Sequence, residues 1–222
     1  MNLKQLPSFI CFAGPDGVGK TTQAKLLQKK LEKAGVKQKY VWLRYSHKIS
    51  LLPLAFARIF KLSRVKELKK GKIVCHEFYK SRPMSTLYEF TLLVDMFFSV
   101  LMKVRIPILL GKVIICDRFV PDTLVDLMVS TKNFDLFDNI IWVFFVTLIP
   151  EGKIIMLKAR AEDLRHRRDD LKADEDLELK IRAYDIIASK LNITAINSDK
   201  PISSIHNEIM EILLPQVGYF GA

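Results

Sequence analysis

The sequence predicts an α/β fold in which a five-stranded parallel sheet is flanked by helices. Three observations carry the prediction. Short, mostly apolar runs of strand length recur, such as Phe9 to Ala13, Lys112 to Cys116 and Lys153 to Leu157. Stretches of helical periodicity separate them, as crossover helices between parallel strands would. The runs are apolar on both faces, which suits strands covered on both sides of a sheet.

The elements follow in chain order. Phe9 to Ala13 is the first strand and breaks into a glycine-rich loop. Thr21 to Ala34 carries Ala24, Leu26, Leu27 and Leu31 at helical spacing, and Gly35 is a suitable stop. Lys39 to Leu43 is the second strand, ending at Arg44. Residues 45–80 form a basic insertion, with Leu51 to Phe60 helical and Lys61 to Lys72 a charged, irregular connection. Its cations make either a solvated face or a substrate-facing one. Ser85 to Arg105 is a long apolar helix, ended by Pro107. Lys112 to Cys116 is the third strand, followed by helices over Pro121 to Val129 and Leu136 to Phe145. Lys153 to Leu157 is the fourth strand, Arg160 to Arg168 is dense in arginine, and Glu175 to Leu191 is helical. A short fifth strand, Ile193 to Ile196, precedes a last helix to Leu214. No repeat or linker divides the chain, so residues 1–222 are expected to form one domain.

The composition, 50% hydrophobic and 27% charged over 222 residues, is that of a globular chain with a full core. Thirty-five Lys and Arg against 24 Asp and Glu give a formal net charge of +11. That excess fits nucleic acid, a membrane surface, small polyanions or a lysine-rich solvated surface. Cys11, Cys75 and Cys116 lack C-x-x-C spacing, and Cys11 and Cys116 fall in buried strands, which suits reduced core thiols. Asp95, Lys103 and Arg105 interrupt the apolar segment from Leu92 to Leu110, so it does not read as a membrane span. The first residues do not read as a signal peptide, and a cytoplasmic protein with no membrane partner is expected.

Gly14-Pro15-Asp16-Gly17-Val18-Gly19-Lys20-Thr21 fits G-x-x-x-x-G-K-[ST] at every fixed position. Glycines let successive N–H groups converge on phosphate oxygens, and the following helix points its positive end at them. Lys20 adds charge toward the β- and γ-phosphates, and the Thr21 hydroxyl is a Mg²⁺ ligand candidate. Ligands of open parallel sheets bind beyond the carboxyl ends of the strands. Arg44 ends the second strand and Asp117-Arg118 the third, so they converge with this loop. Asp117 is the best-placed carboxylate for Mg²⁺ and Arg118 can reach the phosphates; a local ion pair or helix cap is the plainer alternative. Arg165 and Arg168 are three residues apart, either on one face of a surface helix or in a mobile lid that delivers guanidinium groups.

Taken together, these residues resemble the thymidylate kinases, within the nucleoside monophosphate kinases. The resemblance covers nearly the whole chain apart from the insertion near 45–80. It is carried by Gly-Pro-Asp-Gly-Val-Gly-Lys-Thr-Thr-Gln, by Val-Ile-Ile-Cys-Asp-Arg-Phe and by the arginine-rich segment at 160–168. Ile-Arg-Ala-Tyr-Asp-Ile-Ile-Ala and Ile-Asn-Ser-Asp-Lys-Pro-Ile near the end support it. It implies a P-loop fold with a short lid near 160–174, and transfer of the γ-phosphate of ATP to dTMP with Mg²⁺. Residues 14 to 22, including Thr22, would hold ATP, with Asp199, Lys200 and Pro201 bordering adenine. Asp16, Arg44, Arg118 and Asp122 would face the acceptor. The family's two-fold interface suggests a homodimer through Glu89 to Lys103, with Phe90, Leu93, Phe97, Val100 and Leu101 in the contact.

The chain departs from the family pattern on the acceptor side. Tyr45-Ser46-His47 replaces Glu-Pro-Gly, Met96 stands where a substrate-binding arginine is usual, Asp126-Leu127 replaces Tyr-Gln, and Asp122 replaces a small hydroxyl residue. A kinase of the same fold for another nucleotide or a small phosphorylated metabolite is therefore an alternative. A nucleic-acid-binding P-loop NTPase is another, although Phe78 and Tyr79 form no regular stacking pattern with the basic residues.

Overall fold

The computed structural model describes residues 6–44, 48–68, 71–135 and 140–214. Tyr45, Ser46 and His47, and the first four residues of the helix expected from Leu136, lie outside them. β1 (Phe9–Ala13) leads to α1 (Lys20–Lys33), β2 (Gln38–Trp42) and α2 (Leu51–Ile59). The hairpin β3 (Ser63–Leu68) and β4 (Gly71–His76) precedes α3 (Arg82–Val100) and α4 (Ile106–Leu109). Next come β5 (Val113–Asp117), α5 (Val120–Thr131), α6 (Ile140–Thr147), β6 (Lys153–Lys158) and α7 (Ala161–Arg167). α8 (Leu177–Lys190), β7 (Thr194–Asn197) and α9 (Ile202–Leu213) follow.

Five parallel strands form one sheet in the order β2-β5-β1-β6-β7. β1 is central, and its residues alternate between two cores as a strand's period of two requires. Phe9, Cys11 and Ala13 pack in the core with Leu92 of α3, Leu124 of α5 and Ile187 of α8. Ile10 and Phe12 pack on the other side with Leu27 of α1 and Ile209 of α9. Phe9, Ile10, Phe12 and Leu27, large and fully buried, each contribute about 1.5–3 kcal/mol. Phe12 and Trp42 both stand in register with Asp117, so the carboxyl ends of β1, β2 and β5 lie side by side.

Cys11 is the register partner of Cys116, and both are buried free thiols. The Cys116 thiol donates to the Arg118 carbonyl at 3.2 Å, and burial pushes the Cys11 thiol well above its ordinary pKa.

Two expectations are corrected. Residues 61–72 are not an irregular connection: most of them belong to the antiparallel hairpin, which pairs Ser63 with His76 and Leu68 with Gly71 apart from the main sheet. Val65, Ile73 and Val74 give the segment strand character that its many charges obscured. Pro107 does not end the long helix, because a π-helical turn over Leu101–Arg105 joins α3 to α4. Widening the turn just before Pro107 relieves the clash its ring would make with the preceding turn, and Pro107 then begins a new α-helical turn. No helix among the described residues is long and apolar enough to cross a membrane.

Candidate functional site

The glycine-rich loop leaves the end of β1 at the middle of the sheet. A Cβ on Gly14, where φ is 137°, would stand 2.1 Å from the Leu157 carbonyl oxygen, so only glycine lets the loop lie against β6. Gly19 has φ 96° and caps α1, whose first residue is Lys20. Val18 is buried in the core beside α1, which anchors the loop. Lys20 is itself buried, and its ammonium donates to the carbonyls of Gly14 at 2.5 Å and Pro15 at 2.7 Å. Burial lowers its pKa from 10.5 to about 8, partly opposed by the negative charges of Asp122, Asp16 and Asp117.

Thr21 and Tyr40 meet on one carboxylate. The Thr21 hydroxyl donates to Oδ2 of Asp117 at 2.5 Å and the Tyr40 hydroxyl donates to the same oxygen at 2.7 Å. The other oxygen, Oδ1, is buried and has no hydrogen-bond partner. Burial, followed by the bond to Asp117, pushes the Tyr40 hydroxyl well above the usual phenol range, so Tyr40 stays a donor. Among the described residues no group of three or more His, Cys, Asp or Glu could hold a metal. A cation here would depend on Asp117, Thr21 and a ligand's own oxygens, the mode usual for Mg²⁺ with phosphates. The orphaned Oδ1 fits that arrangement.

Asp16, inside the loop, gathers the cations. Arg118 donates to it through Nη2, Arg44 donates through Nη1 at 3.0 Å, and Lys20 lies at 4.0 Å. Burial opposes its charge, yet Arg44, Arg118 and Lys20 together hold its carboxyl well below the usual carboxylate range. Arg118 adopts φ 68°, a left-handed conformation for a side-chain-bearing residue that costs about 1–3 kcal/mol and recurs at functional sites. Its buried Nη1 has no hydrogen-bond partner, although Asp122 Oδ1 is 3.9 Å away. Asp122 is fully engaged: it accepts the Phe119 N–H at 3.0 Å, which caps α5, and the Tyr184 hydroxyl at 2.8 Å. Arg44 completes the group by donating to both oxygens of Asp126, through Nε and Nη2 at 3.1 Å each.

The arginine-rich segment packs over the other side of the loop. A Cβ on Gly17 would stand 3.3 Å from the Arg168 side chain and 3.2 Å from Leu171. Arg165 and Arg168 do not share a helical face, because α7 ends at Arg167 and Arg168 is extended. Arg165 pairs with Glu178 at 2.7 Å, and Arg168 holds both oxygens of Asp170. Arg167 donates to the Ser198 hydroxyl at 2.9 Å and to Asp199 at 3.2 Å. It thereby borders a cavity of about 350 Å³ shared by Gly19, Thr22, Asp199, Lys200 and Pro201.

The structure thus brings Asp16, Lys20, Thr21, Arg44, Asp117 and Arg118 into one place, with Thr22 and Asp199 to Pro201 around the adjoining cavity. Met96 of α3 and Leu127 of α5 are buried in the core. Tyr40 and Arg167 belong to this site and were not singled out from the sequence, whereas Asp126, expected on the acceptor side, pairs with Arg44. Tyr40 stands two residues before the end of β2, so strand alternation was the one signal for it. No family model matches the chain, and no curated protein matches it.

Proposed function

We propose that this protein is an ATP-dependent kinase of the P-loop type that transfers the γ-phosphoryl group to a nucleoside monophosphate, with dTMP the leading acceptor. The observation that carries the reading is the Thr21 hydroxyl on Asp117 at 2.5 Å, with the second Asp117 oxygen buried and unpartnered beside the loop. Phosphoryl transfer needs positioning and positive charge around the transferred group rather than covalent participation. Lys20 and Arg118 supply that charge and the loop amides receive the phosphates; Thr21 and Asp117 would hold Mg²⁺, which would supply further neutralisation of phosphate charge. The Lys20 ammonium exchanges its two loop carbonyls for phosphate oxygens when ATP enters.

The cavity beside Arg167 and residues Asp199 to Pro201 suits the adenine end of ATP. Arg165 and Arg168 act from a short lid over residues 160–174, exchanging Glu178 and Asp170 for the transferred phosphoryl group. Asp16, Arg44 and Arg118 face the acceptor, and Asp122 acts behind Arg118. The exposed Phe90 and Phe97 on α3 support a homodimer through that helix; Val100 is buried and takes no part. Met96 and Leu127 stand where the resemblance implies acceptor-binding donors, and both are buried and apolar. That observation favours a second reading, the same chemistry on another nucleotide or a small phosphorylated metabolite.

A coupled assay of ATP consumption with dTMP, dUMP, dCMP and dGMP, with and without Mg²⁺, tests both readings. Mg²⁺-dependent transfer to dTMP, weaker or less base-selective than the family pattern gives, is expected. No transfer to any monophosphate overturns the leading reading.

A further inference from the structure

Arg44 stands just beyond β2 with its guanidinium between two carboxylates. Nε and Nη2 donate to the two oxygens of Asp126 at 3.1 Å each, the paired geometry that a guanidinium offers equally to a phosphate. Nη1 donates to Asp16 at 3.0 Å. The Arg44 side chain is 11% exposed and that of Asp126 24%, so neither charge is freely solvated. The two carboxylates differ. Asp16 lies among Lys20, Arg44 and Arg118 and keeps two cations if Arg44 turns away. Asp126 pairs with Arg44 on the opposite edge of the fork.

A phosphate that takes this edge must displace Asp126, and the displaced carboxylate then faces a second anion across a short distance. Both effects oppose a phosphorylated acceptor and leave a neutral hydroxyl unaffected. We infer that Asp126 is a specificity-determining residue: it occupies the phosphate-binding edge of Arg44 and selects against acceptors that present a phosphate there. The inference rests on the proposal that Arg44 faces the acceptor. The position that departs from the family pattern thus acts on the acceptor through a residue that keeps to it.

The test is direct binding, read apart from catalysis. dTMP and thymidine, which differ by the phosphate alone, are titrated calorimetrically into wild type, Asp126→Asn and Asp126→Ser. Both variants should bind dTMP about tenfold more tightly, and thymidine within about twofold of wild type. In an Arg44→Gln background the gain from Asp126→Asn should fall below about twofold, because the effect passes through the guanidinium. Unchanged or weaker dTMP binding in both variants overturns the inference, as does an equal gain in the Arg44→Gln background. Absence of dTMP binding by all the proteins overturns it too. If dTMP binding is gained through Arg44 but no protein transfers phosphate from ATP, the inference stands and the kinase reading falls.

Discussion

Thr21 and Asp117, 96 positions apart, are joined by a 2.5 Å hydrogen bond that ties the first turn of α1 to the end of β5. The loop before α1 follows β1, the neighbour of β5, so the bond is anchored by two strands at the buried centre of the sheet. Tyr40 closes the arrangement from β2.

Tyr40→Phe removes one of the two donors on Asp117 Oδ2 and keeps the ring. Loss of such an orienting contact should raise the Mg²⁺ concentration for half-maximal activity by about tenfold. The acceptor KM should not move. A Mg²⁺ titration that superimposes on wild type shows that Tyr40 does not position the carboxylate.

On the proposed function, Lys20→Ala should abolish phosphoryl transfer, since the lysine would supply charge at the β- and γ-phosphates. Near-normal turnover by a folded variant removes the loop assignment. Lys20→Met tests the environment. Burial lowers the Lys20 pKa from 10.5 to about 8, below its value in the unfolded chain. The unfolded chain therefore holds more protons between those values, and stability rises with pH across that window. Below about pH 8 the lysine is charged in both states and the penalty is constant. Urea unfolding at pH 7.5 and pH 10 should show wild type gaining about 2–3 kcal/mol relative to Lys20→Met. A difference that does not change with pH contradicts the depressed pKa.

Arg167, Arg165 and Arg168 should separate kinetically. Arg167→Ala loses the contacts to Ser198 and Asp199 at the cavity and should raise the KM for ATP by about tenfold with little effect on kcat. Arg165→Ala and Arg168→Ala should lower kcat more than they raise the ATP KM, as groups acting in the transition state do. If neither parameter changes, the two arginines are surface partners of Glu178 and Asp170 and nothing more.

Phe90 is 62% exposed and Phe97 50%, on the outer face of α3, with Phe144 of α6 also half exposed. A homodimer would cover this apolar strip. Wild type should be dimeric by light scattering at micromolar concentration and Phe97→Glu monomeric. A monomeric wild type under the same conditions counts against the interface.

Much of this was legible because the residues that matter lie at strand ends, where motif and topology coincide. Gly14 to Thr21, Arg44 and Asp117-Arg118 are brought together by parallel strands alone. The hairpin was not legible, because Arg64, Lys66, Lys69, Lys70 and Lys72 obscured the alternation of its strands. Pro107 misled because a proline is tolerated where the previous turn has already widened. Arg167 was missed for a finer reason. One residue decides whether an arginine lies on α7 or beyond its end, and helix ends are where spacing arguments fail.

The side-by-side cysteines of the two central strands make the sheet report its own opening. Cys11 and Cys116 have no exposed surface, and thiol reagents attack the thiolate, so neither can be labelled while β1 and β5 remain paired. With Cys75 replaced by Ser, the rate at which a thiol reagent is consumed becomes a clock for global unfolding, blind to fraying elsewhere. A nucleotide bound to the adjoining loop would slow that clock by a factor of one plus the ratio of free ligand concentration to Kd, so ligands could be screened without any assay of turnover.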